Sequence, residues 1–287
     1  MSEYSWKIKG GKDLGVSPFC IIGILNVTPD SFYDGRKSLD YEDAVDRGLR
    51  MADEGAGIID VGGESTRPGS RRVSAAEEIS RVVPVIKALA GKTGALLSCD
   101  TYKGAVAEKA LEAGASIIND ISAFSMDKGL LSVVRDSGCG YVLMHMQGTP
   151  ADMQDDPSYE DVESEISLFF ERSLGFLEKN GIDPGKVAID PGIGFGKRLE
   201  DNLRILNGIG AFRKFGRPVM VGASRKSFIG KILDGLPAEQ RLGASLACAV
   251  VSYLRGACIF RVHDVAETAR VLRVARAIES ASGDLSP

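Results

Sequence analysis

A repeating hydrophobic pattern runs through most of the chain: a short, continuously apolar segment ends in a polar residue or a glycine, and an amphipathic stretch follows. Continuous apolar segments predict strands that are buried on both faces, as in a parallel sheet. The predicted strands are Cys20–Asn26, Ile58–Gly63, Leu96–Asp100, Ser116–Asp120, Tyr141–His145, Val187–Asp190, Val219–Ser224 and Ile259–His263.

The stretches between these strands have the spacing of amphipathic helices. In Tyr41–Glu54, for example, Ala44, Val45, Leu49 and Ala52 lie on one side of a helix. Several stretches end in a glycine before the next strand, which is typical of a helix C-cap. The other predicted helices are Ala75–Leu89, Ala105–Ala113, Val162–Leu177, Leu199–Phe212 and Val265–Ile278.

Strand and helix alternate along the whole chain, and eight such units in about 270 residues predict a (β/α)8 barrel of the α/β class, formed by 1–287 as one domain. An open, doubly wound sheet is the alternative. It would normally carry an early G-x-G-x-x-G motif, and none follows the first strand. Residues 1–17 predict a short hairpin that closes the barrel bottom, and 280–287 predict a flexible tail.

One helical segment, Leu236–Gly256, lacks a polar face. Between Leu242 and Val251 it is apolar nearly all round, whereas a helix on the outside of a barrel should keep one polar side. This pattern favours a subunit interface and hence a homodimer. A tightly packed helix beneath a long loop is the alternative.

Composition excludes several classes of protein. The 287 residues are 44% hydrophobic and 26% charged with a net charge of −4, which is ordinary for a globular protein. No run of Lys or Arg indicates a nucleic-acid partner, and no apolar run is long enough to span a membrane. Five cysteines without a C-x-x-C pair indicate buried thiols in a reducing compartment, so we expect a cytoplasmic enzyme.

The polar residues at the predicted strand ends indicate the chemistry, because the active site of such a barrel lies at the carboxyl ends of its strands. Acceptors there suit a planar ligand with adjacent N–H groups, and cationic groups suit an anion. The acceptors are Asp100, Asn119 and Asp190, and the cationic or potentially cationic residues are Arg225, Lys226, Arg261 and His263. The predicted ligand therefore has a flat, amidine-like end and an anionic end.

Other polar strand-end residues have structural interpretations. His145 is more often a hydrogen-bonded core histidine than a ligand, and Asp60 could cap the next turn. Asp120 alternates with Asn119 along its strand and should therefore face the helices. By the same alternation, one of Arg225 and Lys226 should be structural. With only two histidines in the chain, a His/Cys metal cluster is not expected.

Three loops stand out by composition. Residues 26–35 and 62–70 are long and combine Gly, Pro, Ser and Thr with charge, which is typical of substrate loops on a barrel. The stretch 190–197 carries three glycines after Asp190 and Pro191, with Phe195 as a face for stacking. It is not a Walker loop, because Pro191 and Arg198 occupy positions where that motif needs Gly and Ser or Thr.

Seven motifs in order along the strand ends resemble the dihydropteroate synthase family, the folate-pathway enzymes that sulfonamides target. The resemblance extends from the first strand to the eighth. The motifs are Asn26-Val27-Thr28-Pro29-Asp30-Ser31-Phe32, Gly62-Gly63-Glu64-Ser65-Thr66-Arg67-Pro68-Gly69, Asp100-Thr101, Ile118-Asn119-Asp120, Asp190-Pro191-Gly192-Ile193-Gly194-Phe195-Gly196-Lys197, Ser224-Arg225-Lys226-Ser227 and Arg261-Val262-His263-Asp264.

The resemblance implies that 6-hydroxymethyl-7,8-dihydropterin diphosphate and 4-aminobenzoate are joined to 7,8-dihydropteroate with release of diphosphate, and that Mg2+ accompanies the diphosphate. It implies Asn26 as the metal ligand and a homodimer through the last helices. The implied catalytic residues are Asp34, Lys226, Arg261 and His263. The implied ligands of the pterin diphosphate are Thr66, Asp100, Asn119, Asp190, Lys226, Arg261 and His263. On the 4-aminobenzoate side the implied residues are Phe32, Asp34, Arg67, Pro68, Phe195 and Ser227.

The first loop departs from the family pattern. Family members usually have Ser-Asp-Gly-Gly after the Phe, whereas this chain has Tyr33-Asp34-Gly35-Arg36-Lys37. Two other functions are alternatives: a folate-binding barrel that transfers a methyl group to a corrinoid protein, and a non-catalytic pterin-binding paralogue. The first has no need of the diphosphate-binding cations, and the second would bind its ligand without turnover.

Overall fold

Eight parallel strands form a barrel, as predicted. The computed structural model describes residues 4–11, 13–28, 37–66 and 70–281, but not the side chains of 37–40. The barrel strands are β3 (Cys20–Asn26), β4 (Ile58–Gly62), β5 (Leu96–Asp100), β6 (Ile117–Asp120), β7 (Gly140–Met144), β8 (Val187–Asp190), β9 (Met220–Val221) and β10 (Ile259–Val262). Their order is β8-β7-β6-β5-β4-β3-β10-β9, and a parallel bridge between Ile189 and Val219 brings the two ends of this sheet together.

Helices follow the strands and cover the barrel from outside. They are α1 (Lys37–Asp53), α2 (Ala75–Leu89), α3 (Gly104–Ala113), α4 (Gly129–Ser137), α5 (Val162–Lys179), α6 (Leu199–Asn207), α7 (Ser227–Ile232), α8 (Leu242–Leu254) and α9 (Val265–Ala281). The stretch predicted as one helix over Leu199–Phe212 is divided at Gly208, and a 3-10 turn continues over Ile209–Phe215. Helix α9 includes the first two residues of the predicted tail, and the rest of that tail lies outside the described residues.

A small antiparallel hairpin closes the bottom of the barrel, as the sequence predicts. It pairs β1 (Ser5–Lys7) with β2 (Asp13–Gly15). Trp6 is fully buried against the first residues of the barrel strands, and its indole N–H donates to the carbonyl oxygen of Lys186 at 2.7 Å. The hairpin therefore covers the end of the barrel opposite the carboxyl ends of the strands.

Strand β9 is much shorter than predicted. The apolar pattern extends from Val219 to Ser224, but only Met220 and Val221 pair with β10, opposite Ile259 and Phe260. The length of a strand is set by the partners that its neighbours offer, and a hydrophobic pattern does not contain that information. The segment that leads from Val221 to α7 therefore leaves the sheet early.

Helices α8 and α9 expose apolar residues. Gly243, Ala247, Val251 and Leu254 are exposed at helical spacing on α8. On the neighbouring helix α9, Val274 and Ile278 are 59% and 69% exposed. Among the described residues, no helix combines the length and apolarity needed to cross a membrane.

Candidate active site

Four adjacent strands bring polar residues to one level at the mouth of the barrel. Asn26 of β3 pairs in register with Gly62 of β4, Gly62 with Asp100 of β5, and Asp100 with Asn119 of β6. Gly62 leaves space between two of these side chains, because a Cβ there would lie 3.5 Å from Asn26 Oδ1 and 3.6 Å from Asp100 Oδ2. The register thus places Asn26, Asp100 and Asn119 along one rim.

Arg261 of β10 lies at the centre of this rim and is bound to two carboxylates. Its Nε donates to Asp60 Oδ2 at 2.7 Å and its Nη2 to Asp100 Oδ2 at 2.5 Å. Although burial disfavours the charged guanidinium, Asp100 and Asp60 raise the pKa of Arg261, so it remains a cation. Burial raises the pKa of Asp100 to about 7, with Arg261 opposing the rise and Asp60 adding to it.

Two buried acceptor atoms beside this ion cluster have no hydrogen-bond partner in the described part of the chain. Asn119 uses its Nδ2 to donate to Asp60 Oδ2 at 2.9 Å. This leaves Asp60 Oδ1 and Asn119 Oδ1 buried and unpartnered. A buried acceptor without a donor costs about 1–3 kcal/mol. Two hydrogen-bond donors are needed to satisfy these two atoms.

Asp190 lies at the end of β8 and is 4% exposed. Its Oδ1 accepts from the backbone N–H of Gly192 at 2.7 Å. Burial raises the pKa of Asp190, while this hydrogen bond and the charges of Lys226, Lys197 and Arg261 act in the opposite direction. Asp190 is therefore close enough to Arg261 for their charges to interact.

A buried lysine holds the glycine-rich loop after Asp190. Lys197 Nζ lies 3.0 Å from His145 Nδ1 and donates to the Phe195 carbonyl oxygen at 3.0 Å. Burial lowers the pKa of Lys197 to about 7 and, together with Lys197, lowers that of His145 to about 2, so His145 is neutral and Nδ1 accepts. Gly192 has φ of 71°, and a Cβ there would overlap the His145 carbonyl oxygen. His145 is thus a core histidine, as its position in the sequence predicts.

Lys226 packs against Phe195 of the glycine-rich loop. Lys226 Nζ lies 4.0 Å from the centre of the Phe195 ring, a cation–π contact. The Lys226 side chain also runs across Gly194, where a Cβ would lie 3.1 Å from Lys226 Cδ. The charge of Lys226 opposes the rise that burial causes in the pKa of Asp100 and in that of Asp190. The two acids, Lys226 and Arg261 consequently border a single site.

Three of the remaining predicted residues are described and four are not. Thr66 lines a small cleft with Glu64, Tyr102 and Met126. His263 follows β10, where its Nδ1 lies 3.0 Å from Ser224 Oγ, and Ser227 begins α7. Phe32, Asp34, Arg67 and Pro68 lie outside the described residues, as do Tyr33, Gly35 and Arg36 of the unusual first loop.

Side-chain contacts assign two of the ambiguous residues. Asp120 points away from the site and accepts from Tyr141 Oη and from the backbone N–H of Phe124, as predicted for a residue on the helix side. Arg225 is the structural member of the Arg225–Lys226 pair, because it forms an ion pair with Asp264.

Two residues of the site were not assigned to it by sequence reasoning. The sequence suggests that Asp60 caps a turn, whereas in the structure it is 1% exposed and binds both Arg261 and Asn119. Its place two residues before Gly62 puts it on the same inward face, a period-two relation that could have identified it. Lys197 carries no comparable signal, because nothing in the sequence distinguishes a buried lysine from an exposed one.

The described residues contain no group of three or more His, Cys, Asp or Glu side chains that could hold a metal ion. Asn26 offers one amide oxygen at the rim. Mg2+ commonly uses one or two protein oxygens and completes its shell with substrate phosphates and water. The donor set therefore fits a Mg2+ that arrives with a phosphorylated ligand.

Known proteins resemble this chain over nearly its full length. A family profile described as "Pterin binding enzyme" matches residues 22–263. The dihydropteroate synthase of Escherichia coli K12 is 46% identical over 271 residues, which cover 94% of this chain and 95% of that protein.

Solved structures give the same result. Yersinia pestis dihydropteroate synthase, in complex with a sulfonamide drug, superposes with a TM-score of 0.89 at 43% identity, covering 95% of this chain and 98% of that one. The Xanthomonas albilineans enzyme with 4-aminobenzoic acid gives a TM-score of 0.90 at 40% identity, with full coverage of both chains. From its fold, its site and these similarities, the chain belongs to the dihydropteroate synthase family of pterin-binding enzymes.

Proposed function

We propose that this chain condenses 6-hydroxymethyl-7,8-dihydropterin diphosphate with 4-aminobenzoate to 7,8-dihydropteroate and diphosphate. The observation that carries the proposal is the pair of buried, unpartnered acceptors, Asp60 Oδ1 and Asn119 Oδ1, next to the ion pairs of Arg261, whose charge also acts on Asp190. A pterin offers adjacent ring and exocyclic N–H groups that match such acceptors. Solved relatives contain 4-aminobenzoic acid and 7,8-dihydropteroate, which supports the same chemistry here.

In the proposed reaction, the bond between the pterin methylene carbon and the diphosphate oxygen breaks, and both electrons leave with the diphosphate. The 4-aminobenzoate nitrogen then donates its lone pair to that carbon and loses one proton. Asp60, Asp100, Asn119 and Asp190 hold the pterin, and Lys226 lies over the Phe195 ring at the edge of the pterin. Arg261, His263 and Thr66 face the diphosphate. Phe32, Arg67, Pro68, Phe195 and Ser227 receive 4-aminobenzoate, with Asp34 beside its amine.

Magnesium completes this proposal. The Arg261 charge is already compensated by two carboxylates, so the guanidinium alone attracts a diphosphate weakly. Asn26 would hold Mg2+ through its amide oxygen, where the ion would neutralise charge on the leaving diphosphate. Asn26→Ala should accordingly raise the Mg2+ concentration needed for half-maximal activity.

We also propose that the enzyme is cytoplasmic. All five cysteines of the chain are described residues, and all are free thiols. Burial raises the pKa of Cys20, Cys99, Cys139, Cys248 and Cys258, which suppresses thiolate chemistry. Free thiols suit a reducing environment, which supports a cytoplasmic enzyme.

Diphosphate release is the direct test of function. We expect release only when the pterin diphosphate, 4-aminobenzoate and Mg2+ are all present, with one dihydropteroate formed per diphosphate. Reactions that lack one substrate, or that contain EDTA, serve as controls. Absence of turnover with both substrates present would refute the proposal, and demethylation of methyltetrahydrofolate by cobalamin would indicate the methyltransferase alternative instead.

The role of Asp190 is tested by Asp190→Asn, which keeps the shape of the side chain but replaces an acceptor with an amide donor. We expect pterin diphosphate to bind more weakly by about 2–5 kcal/mol, because N–H groups of the ligand lose a buried charged partner. Titration calorimetry measures the change. Asp136→Asn, at an exposed pair with Arg135, is the matched control. Wild-type affinity in the Asp190 variant would remove this residue from the pocket.

The role of Arg261 is tested by comparing two ligands. Arg261→Ala leaves Asp60 and Asp100 unpaired, so it should weaken the binding of any pterin. If Arg261 also faces the diphosphate, the loss should be about tenfold larger for pterin diphosphate than for the corresponding pterin alcohol, which amounts to about 1.4 kcal/mol. Equal losses for the two ligands would confine Arg261 to organising the carboxylates.

We further propose that the chain is a homodimer through α8 and α9, whose exposed apolar side chains include Val251, Leu254, Val274 and Ile278. Burying one large aliphatic side chain stabilises association by about 1.5–3 kcal/mol. Ile278→Asp should therefore raise the dimer dissociation constant at least tenfold in sedimentation equilibrium. Leu203→Asp, at a 43% exposed position on α6, is the control. A wild-type monomer at micromolar concentration would contradict the dimer.

A further inference from the structure

The ends of the last two barrel strands receive little support from the sheet. Strand β9 pairs with β10 at two positions only, and Lys226 lies five residues beyond Val221. On the other strand, His263 follows directly after the end of β10. Sheet hydrogen bonds therefore do not fix Lys226 and His263 relative to each other, although both belong to the proposed site.

Side chains join these two strand ends instead. Arg225 donates through Nε to Asp264 Oδ2 at 3.0 Å and through Nη2 to Asp264 Oδ1, so that two parallel bonds hold a planar fork. One residue earlier on each segment, Ser224 Oγ lies 3.0 Å from His263 Nδ1. We name Ser224, Arg225, His263 and Asp264 the strand-end clasp.

The backbone of Arg225 is held in a conformation that residues other than glycine rarely adopt. Its φ is 57°, and such strain persists only where surrounding contacts impose it. Two contacts from the start of α8 do so here. The Arg225 N–H donates to Ser245 Oγ at 2.9 Å, and Arg241 Nη1 donates to the Arg225 carbonyl oxygen at 3.0 Å.

The Arg241 contact also requires a glycine. The Arg241 guanidinium lies so close to Gly230 on α7 that a Cβ there would overlap its Nη2 atom. Arg241 additionally donates to the carbonyl oxygen of Lys226 at 3.3 Å. Both the strained residue and the site lysine that follows it are thus anchored to α8.

The hydroxyl of Ser224 contacts His263 at two atoms. Ser224 Oγ accepts from the backbone N–H of His263 at 3.3 Å and forms a hydrogen bond with His263 Nδ1 at 3.0 Å, which fixes the orientation of the ring.

We propose that the contacts within the strand-end clasp position Lys226 and His263 for the reaction. Arg225, Asp264 and Ser224 are then positioning residues that touch neither substrate. This inference rests on the proposed function and assigns it residues that the sequence motifs leave without a role. Arg225 acts through the backbone of Lys226, and Ser224 acts through the ring of His263.

The test is the steady-state kinetics of four single variants and one double variant. The single variants are Arg225→Ala, Arg225→Gly, Arg225→Lys and Asp264→Ala, and the double variant is Arg225→Ala/Asp264→Ala. A small displacement of site groups can cost about 100-fold in rate. We expect kcat/KM for pterin diphosphate to fall by about 10- to 100-fold in both alanine variants, with a raised KM, and the double variant to lose no more than the poorer single one. Arg225→Lys should retain part of the activity.

Arg225→Gly separates positioning from stability. Glycine adopts a φ of 57° without strain, so this variant should melt at or above the temperature of Arg225→Ala, yet lose as much activity. Arg135→Ala, which breaks an exposed ion pair on α4, is the control and should change neither kcat nor KM.

Three outcomes would overturn the clasp. The first is wild-type kcat/KM in Arg225→Ala and Asp264→Ala. The second is a fall in kcat alone that matches the unfolded fraction of each variant, since loss of folded protein leaves KM unchanged. The third is an inactive wild-type enzyme, which would refute the proposed function and the clasp together and is therefore distinguishable from failure of the clasp alone.

Discussion

The site depends on one buried ion cluster, in which Arg261 binds Asp60 and Asp100 at the mouth of the barrel. Asp60 and Asp100 both bind this arginine, and their like charges raise each other's cost of ionisation, as the effect of Asp60 on the pKa of Asp100 shows. Transfer of each charge out of water costs several kcal/mol, which is recovered only when the geometry and the remaining hydrogen bonds are good. The arginine therefore makes the collection of acids compatible with a folded barrel.

The cluster also determines what the site can recognise. Arg261 and Asn119 occupy the same oxygen of Asp60, so the other oxygen is left with its lone pairs unused. A network that is satisfied on one side only is costly in the free protein. A ligand that supplies N–H donors removes this cost when it binds, whereas a ligand with acceptors at the same places does not. An unsatisfied core of this kind favours donors over acceptors at these two atoms.

The sequence was sufficient for the barrel because its strands are buried on both faces, which gives continuous apolar segments that end abruptly at polar residues. It was not sufficient for the partners of those polar residues. Arg261 and Asp60 are 201 positions apart, and their contact depends on the register between strands and on closure of the ring. Strand β9 shows the same limit, because its apolar pattern continues beyond the two residues that find a partner.

The structure divides the site into parts that are fixed in different ways. Asp100, Asn119 and Asp190 lie on strand ends, and Lys197 and the glycines hold the loop after Asp190 against His145, so few of these groups need to be ordered when a ligand binds there. Reduced ordering leaves more of the interaction energy for affinity. Lys226 and His263 lie where the sheet has already ended, and they owe their positions to side chains from neighbouring segments. The positions of Lys226 and His263 depend on a few contacts beyond the sheet. Substitutions in the two segments after β9 and β10 can therefore displace these two residues without touching the ligand.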